Sequence, residues 1–119
     1  MDRIERDILI AAPPGVVWEV ITEPGHVTQW FSDAAFEASP GATGSIAGHE
    51  IRIEEVEPPH RFSFSWEALL VEFTLTPEDG GTRLSLVESG FEGRGGYRAE
   101  HEAGWTKFLG QLREYAETR

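Results

Sequence analysis

Apolar positions along this chain keep a period of two for much of its length and switch to spacings of three and four in the last quarter. Phe62, Phe64 and Trp66 alternate with Ser63 and Ser65, and Leu69, Val71, Phe73 and Leu75 alternate with Leu70, Glu72 and Thr74. Both read as strands with one buried face, the aromatic face being the inner one. A further strand is expected over 50–57, with Ile51 and Ile53 on one side, and another from Thr82 to Ser89, with Leu84, Leu86 and, by the same parity, Glu88 facing in. Residues 4–10 mix Ile4, Ile8 and Ile10 with Glu5, Arg6 and Asp7, the pattern of an edge strand. The turns between them are marked by Glu57-Pro58-Pro59-His60 and Glu78-Asp79-Gly80-Gly81.

Helical spacing appears in three places. Pro13-Pro14 can occupy the cap and first position of a helix whose buried face is Val16, Val17, Trp18, Val20 and Ile21. Thr22-Glu23-Pro24-Gly25 interrupts it, and a second short helix is expected from Pro24 to Trp30. Phe36 to Gly48, rich in Gly, Ala and Ser, reads as one short hairpin with a turn at Pro40-Gly41 and a strand bounded by Gly44 and Gly48. From about Tyr97 to Glu117 a long helix places Tyr97, His101, Trp105, Phe108, Leu109, Leu112 and Ala116 on one broad face, which must lie on a sheet. The fold class is therefore α+β, with a single domain expected over 1–119.

Composition narrows the function classes. Ten Lys and Arg stand against 21 Asp and Glu, a formal charge of -11, which argues against nucleic acid and anionic membrane surfaces. A protein with a basic patch would be attracted instead. With no cysteine, disulfides, thiolate metal sites and cysteine nucleophiles are excluded. The four histidines lack helical i,i+4 spacing, no Gly-x-Ser-x-Gly elbow is present, and Gly93-Arg94-Gly95-Gly96 lacks the lysine of a phosphate loop. No metal or cofactor is expected. The N-terminus carries no signal pattern and no apolar run is long enough for a membrane span, so a soluble cytoplasmic protein is expected.

Several stretches, taken in order, resemble one superfamily. They are Ala12-Pro13-Pro14-Gly15-Val16-Val17-Trp18 with Thr22-Glu23-Pro24, then Trp30-Phe31, then Val56 to Phe62 leading to Phe64-Ser65-Trp66-Glu67, then Gly81-Thr82-Arg83-Leu84 through Ser89-Gly90-Phe91, and finally Gly104-Trp105. The chain resembles the START-like (SRPBCC) superfamily, and more closely its branch related to the C-terminal domain of the activator of Hsp90 ATPase. That resemblance implies a helix-grip: an antiparallel sheet curved around a long C-terminal helix, with two short helices after the first strand. The superfamily includes lipid carriers, cyclases and receptors, so the fold alone does not choose a function. Two segments, 36–50 and 91–97, are short against the family, and such trims would shrink or open a cavity.

The candidate site lies between sheet and long helix, at Trp30, Phe31, Trp66, Phe73, Leu86, Glu88, His101, Gly104 and Trp105. Trp105 either fills the core or stacks on a ligand. Trp30 and Phe31, with Phe36 following, anchor the short helices, face a pocket mouth or form a protein contact. Gly104 is unfavourable in a helix interior and is explained either by close approach of Trp66 or another bulky strand residue, or by a floor kept free of side chain. Glu88 either faces solvent at a fraying strand end or is buried, and then needs a partner such as a ligand hydroxyl, water, His101 or Arg94.

The function expected is non-enzymatic binding of a small, mostly apolar ligand. Two alternatives stay open: a protein-interaction module like the Hsp90 activator, engaging a chaperone or another protein, and a cyclase- or dehydratase-type enzyme using Glu88 and His101. Outward apolar residues Leu9, Leu70 and Val87 leave monomer and homodimer equally open.

Overall fold

The computed structural model describes residues 3–92 and 95–119. Its elements run β1 (Arg3–Ile10), α1 (Pro14–Thr22), α2 (Pro24–Trp30), β2 (Ala34–Ala35), β3 (Thr43–Ile46), β4 (His49–Glu57), β5 (Arg61–Trp66), β6 (Leu69–Glu78), β7 (Gly81–Ser89) and α3 (Gly95–Glu117). Among the described residues the strands form one antiparallel sheet in the order β1-β7-β6-β5-β4-β3-β2. The helix-grip architecture expected from the sequence is the one observed. No helix among the described residues is long and apolar enough to cross a membrane.

Parity on the central strands sets the core. Phe62 and Phe64 of β5, all four alternating apolar residues of β6, and Leu84 and Leu86 of β7 are buried on the face that α3 covers. Tight two-residue links hold that register: Asp79 and Gly80 between β6 and β7, and Glu67 and Ala68 between β5 and β6, all have positive φ. In β4 the pairing slips between Ile53 and Glu55, so that Val56, and not Glu55, comes opposite Phe62. The bulge keeps a charged residue out of the aromatic interior.

The segment read as one short hairpin is built differently. Ala34–Ala35 pair with Ser45 and Ile46, residues 36–42 bridge the two strands, and β3 turns directly into β4 at Ala47 and Gly48. Gly44 lies inside β3 and does not bound it, because a Cβ there would run into the Ala35 carbonyl and Phe36. The long helix begins two residues before Tyr97.

Glu23 closes α1 and opens α2, with a proline starting each helix. Trp30 is buried and its indole N–H donates to the Val20 carbonyl at 2.9 Å, locking α2 against α1. Gln111 of α3 in turn donates to the Trp30 carbonyl at 2.8 Å. Trp105, Leu109, Leu112 and Ala116 form the buried stripe of α3. The interior they close is tightly packed: the space beside Trp30, Phe36, Phe62 and Phe73 is about 10 Å³, at the lower limit for one water. Trp18, expected in the core, is half-buried and packs edge-on against Phe62. Of the outward apolar residues, Leu9 is exposed, while Leu70 and Val87 are half-buried and Val87 sits between Glu5 and Glu72.

Charged contacts fix α3 along the β1 edge. Arg6 donates to Glu102 at 2.9 Å, Arg98 donates to Glu102 and to the Arg3 carbonyl, and the Ala11 N–H donates to Glu117 at 2.9 Å. The hydrogen bond from Arg6 is the main reason that the Glu102 carboxyl titrates below its ordinary range; desolvation opposes it and the charges of Arg98 and Arg6 add to it. A carboxyl whose folded-state value is depressed stabilises the fold above its unfolded value of 4.5, and that stabilisation is lost as pH falls through the folded value. Glu102→Gln should therefore lower Tm at about pH 6, with the difference from wild type shrinking as pH falls below 4.5, as read by thermal unfolding across that range.

Candidate functional site

Beyond the filled interior, a cleft of about 130 Å³ opens where the end of α2, the end of β5 and the middle of α3 meet. His101, Gly104, Trp105 and Phe108 recur at helical spacing and form one side. Phe31, immediately after α2, and Trp66, the last residue of β5, form the other, and Glu100 stands at the rim. The rings brace one another. Phe31 stacks on Trp105 with centroids 5.2 Å apart and meets Phe108 and Trp66 edge-on at 4.7 and 5.7 Å. Such offset and edge contacts each contribute roughly 0.5–1.5 kcal/mol beyond burial, so the walls are stiff without a ligand.

Beneath the cleft lies Glu88. Strand parity turns it inward beside Leu84 and Leu86, and its side chain has no exposure. Its Oε1 accepts hydrogen bonds from the Trp105 indole N–H at 2.7 Å and from His101 Nδ1 at 3.0 Å, both from α3. Its other oxygen, Oε2, and the Trp66 indole N–H are buried without a hydrogen-bond partner among the described residues. His101 is held on all sides, its ring 4.3 Å from Tyr97, 5.5 Å from Phe91 and 5.8 Å from Trp66 by centroids. Glu67, in the positive-φ turn after Trp66, accepts from the Tyr97 hydroxyl at 3.1 Å and pairs with His49 at 3.0 Å, which ties the start of α3 to the β5–β6 turn.

The sequence-derived candidates fall into two groups. Phe31, Trp66, His101, Gly104 and Trp105 meet around the cleft. Trp30, Phe73, Leu86 and Glu88 do not line it: Trp30 is committed to Val20, Phe73 packs edge-on against the inner side of Trp105, and Leu86 is sealed in the core. Trp30 and Phe31 thus take both roles offered for the pair, one anchoring α2 and the other facing the opening. Phe36 stacks on Phe62 away from the cleft. Arg94, an alternative partner for Glu88, lies outside the described residues.

Glu100 and Phe108 were not among the candidates. Phe108 was legible from its spacing of seven from His101, whereas Glu100 carries no signal beyond its position one residue before His101. A Cβ at Gly104 would meet only the Phe108 ring, at 3.7 and 3.9 Å, which is ordinary contact. Crowding therefore does not explain this glycine, which lines the cleft.

Seven antiparallel strands, two short helices after the first and a long helix lying across the sheet define the helix-grip class of the START-like superfamily. Residues 11–117 match the family model for activator of Hsp90 ATPase homolog 1-like proteins, and the chain belongs to that family. Among solved structures it is similar to DynU16, a protein of the dynemicin biosynthetic locus, at 30% identity and TM-score 0.90 over 99% of this chain. It spans about half of that protein, 48%. It is also similar to MLL2253 from Mesorhizobium loti, at 25% identity and TM-score 0.90, covering 98% of this chain and 97% of that one. CalU16 from Micromonospora echinospora matches at 26% identity and TM-score 0.83, covering 96% and 75%. Among curated protein sequences no match is found.

Trp105→Phe keeps a ring in place but removes one of the two donors to a fully buried carboxylate. It should destabilise the protein by about 1–3 kcal/mol, measured by denaturant unfolding, with near-native secondary structure by circular dichroism. A loss of only a few tenths would mean that Glu88 does not depend on this hydrogen bond.

Proposed function

We propose that this protein binds a small, mostly apolar molecule in the cleft between Phe31, Trp66 and α3, without transforming it. The observation that carries the reading is the aromatic-walled opening of about 130 Å³ over Gly104. Its size is close to that of an engineered apolar cavity of roughly 150 Å³ that takes up benzene, so it fits one ring or the end of a longer ligand. Pre-formed, mostly apolar concavities with few convergent polar groups are the usual form of ligand sites. The similarity to DynU16, from a biosynthetic locus, is in keeping with a small-molecule ligand.

A second reading follows from the family model and from the formal charge of -11: docking of the acidic surface on a basic patch of a chaperone or other protein. Its mark would be a complex that weakens steeply with salt. Either role fits a soluble, cytoplasmic protein.

Gly104 separates the ligand reading from mere packing. Gly104→Ala should raise stability by about 0.5–1 kcal/mol, because alanine favours the helix and meets no clash. Gly104→Leu should fill the cleft. In native mass spectrometry of protein purified from its source organism, wild type should carry one stoichiometric small-molecule adduct and Gly104→Leu none. A clean mass for wild type, repeated after incubation with cell extract, would reject the reading.

A further inference from the structure

The hydrogen bonds around Glu88 also define what kind of ligand the cleft selects. With Glu88 ionised, its Oε1 accepts and does not donate, so the 3.0 Å contact to His101 Nδ1 then requires a hydrogen on Nδ1. In the neutral ring the remaining nitrogen, Nε2, is then an acceptor. His101 lines the cleft, and no hydrogen bond engages Nε2 among the described residues. The same carboxylate oxygen is fixed by Trp105, so the imidazole is oriented from below by a group that cannot itself move into the cleft.

Charge restricts the ligand further. Glu88 lies under the cleft and Glu100 at its rim; Lys107 stands 5.8 Å over the Phe108 ring, and among the described residues neither Lys nor Arg lines the opening. An anionic ligand would meet two carboxylates and, among the described lining residues, no cationic side chain. The aromatic walls and the volume admit a flat six-membered ring.

We infer that the cleft takes a neutral, phenol-type ring whose O–H donates to His101 Nε2, with Glu88 fixing the tautomer that makes Nε2 an acceptor. This inference rests on the ligand-binding reading above and adds the chemical class and the polar anchor. It also makes Glu88 a positioning residue: it touches His101 and not the ligand.

The test compares three probes of similar ring size, phenol, toluene and benzoate, titrated into the wild-type protein labelled with nitrogen-15 at histidine. Phenol should bind about tenfold more tightly than toluene, the gain expected of one well-placed hydrogen bond to a partly charged acceptor. Benzoate should bind more weakly than either. Before any probe is added, His101 should show the Nδ1–H tautomer, and phenol should shift its Nε2 resonance while toluene leaves it in place.

The variant His101→Phe should bring phenol down to the affinity of toluene. The wild-type spectra carry the test even if that variant fails to fold. Toluene binding as tightly as phenol would overturn this inference and leave the cleft a ligand site. An Nε2–H tautomer, or a preference for benzoate, would also overturn the inference alone. No binding of any of the three would reject both the inference and the reading on which it rests.

Discussion

The carboxylate of Glu88 is the constraint on which the rest of this molecule is organised. A carboxylate removed from water is several kcal/mol unfavourable unless it is hydrogen-bonded, and the chain meets that requirement at one oxygen, from one helix, while Oε2 has no partner among the described residues. Trp105 and His101 both reach the same oxygen from α3, four residues apart. The two contacts therefore set the rotation of the helix about its axis as well as its distance from β7. A helix held only by Leu109, Leu112 and Ala116 could roll by a few degrees at small loss, since apolar contact is not directional. Hydrogen bonds to a buried acceptor do not allow that. Once the roll of α3 is fixed, Gly104 and Phe108 must face Phe31 and Trp66, and the cleft follows.

The same arrangement explains why the concave face of the sheet does not hold a large cavity. Phe62, Phe64 and Phe73 point into a space whose far wall is Trp30 and Trp105, and rings of that volume meet across it. The residual void is of the order of one water. What is left for a ligand is displaced outward, to where the glycine of α3 withholds a side chain. The result is a shallow aromatic cleft and not an enclosed chamber.

Much of this was legible in the sequence because period is a strong signal wherever one face is buried. The alternation in Phe62 to Trp66 and Leu69 to Leu75 located two central strands, and Pro13-Pro14 and Pro24 located the starts of α1 and α2. Parity turned Glu88 inward, and helical spacing put His101 and Trp105 over it. Other features left no such trace. A strand of two alanines has no pattern to read, and the role of Gly44 depends on the approach of a neighbouring backbone. Whether Phe73 and Leu86 line a space or fill it is a matter of how side-chain volumes meet across the core, which no spacing rule contains. Trp30 and Phe31 show the limit most plainly: adjacent aromatics, one spent on a carbonyl of α1 and the other presented to the cleft.

Charge acts on two separate scales in this protein. The excess of acidic side chains is spread over the surface, where salt screens it and where it governs the approach of large partners. The charge of Glu88 is different in kind, because it is buried, lies against two donors and is shielded from ions by Trp105 and His101. Raising salt should therefore weaken an encounter with a basic protein surface while leaving the contacts of Glu88 with α3 almost untouched. The two readings of this family member are thus physically independent. An acidic exterior does not predict an acidic site, and here the interior carboxylate of Glu88 is met by Trp105 and His101 of α3.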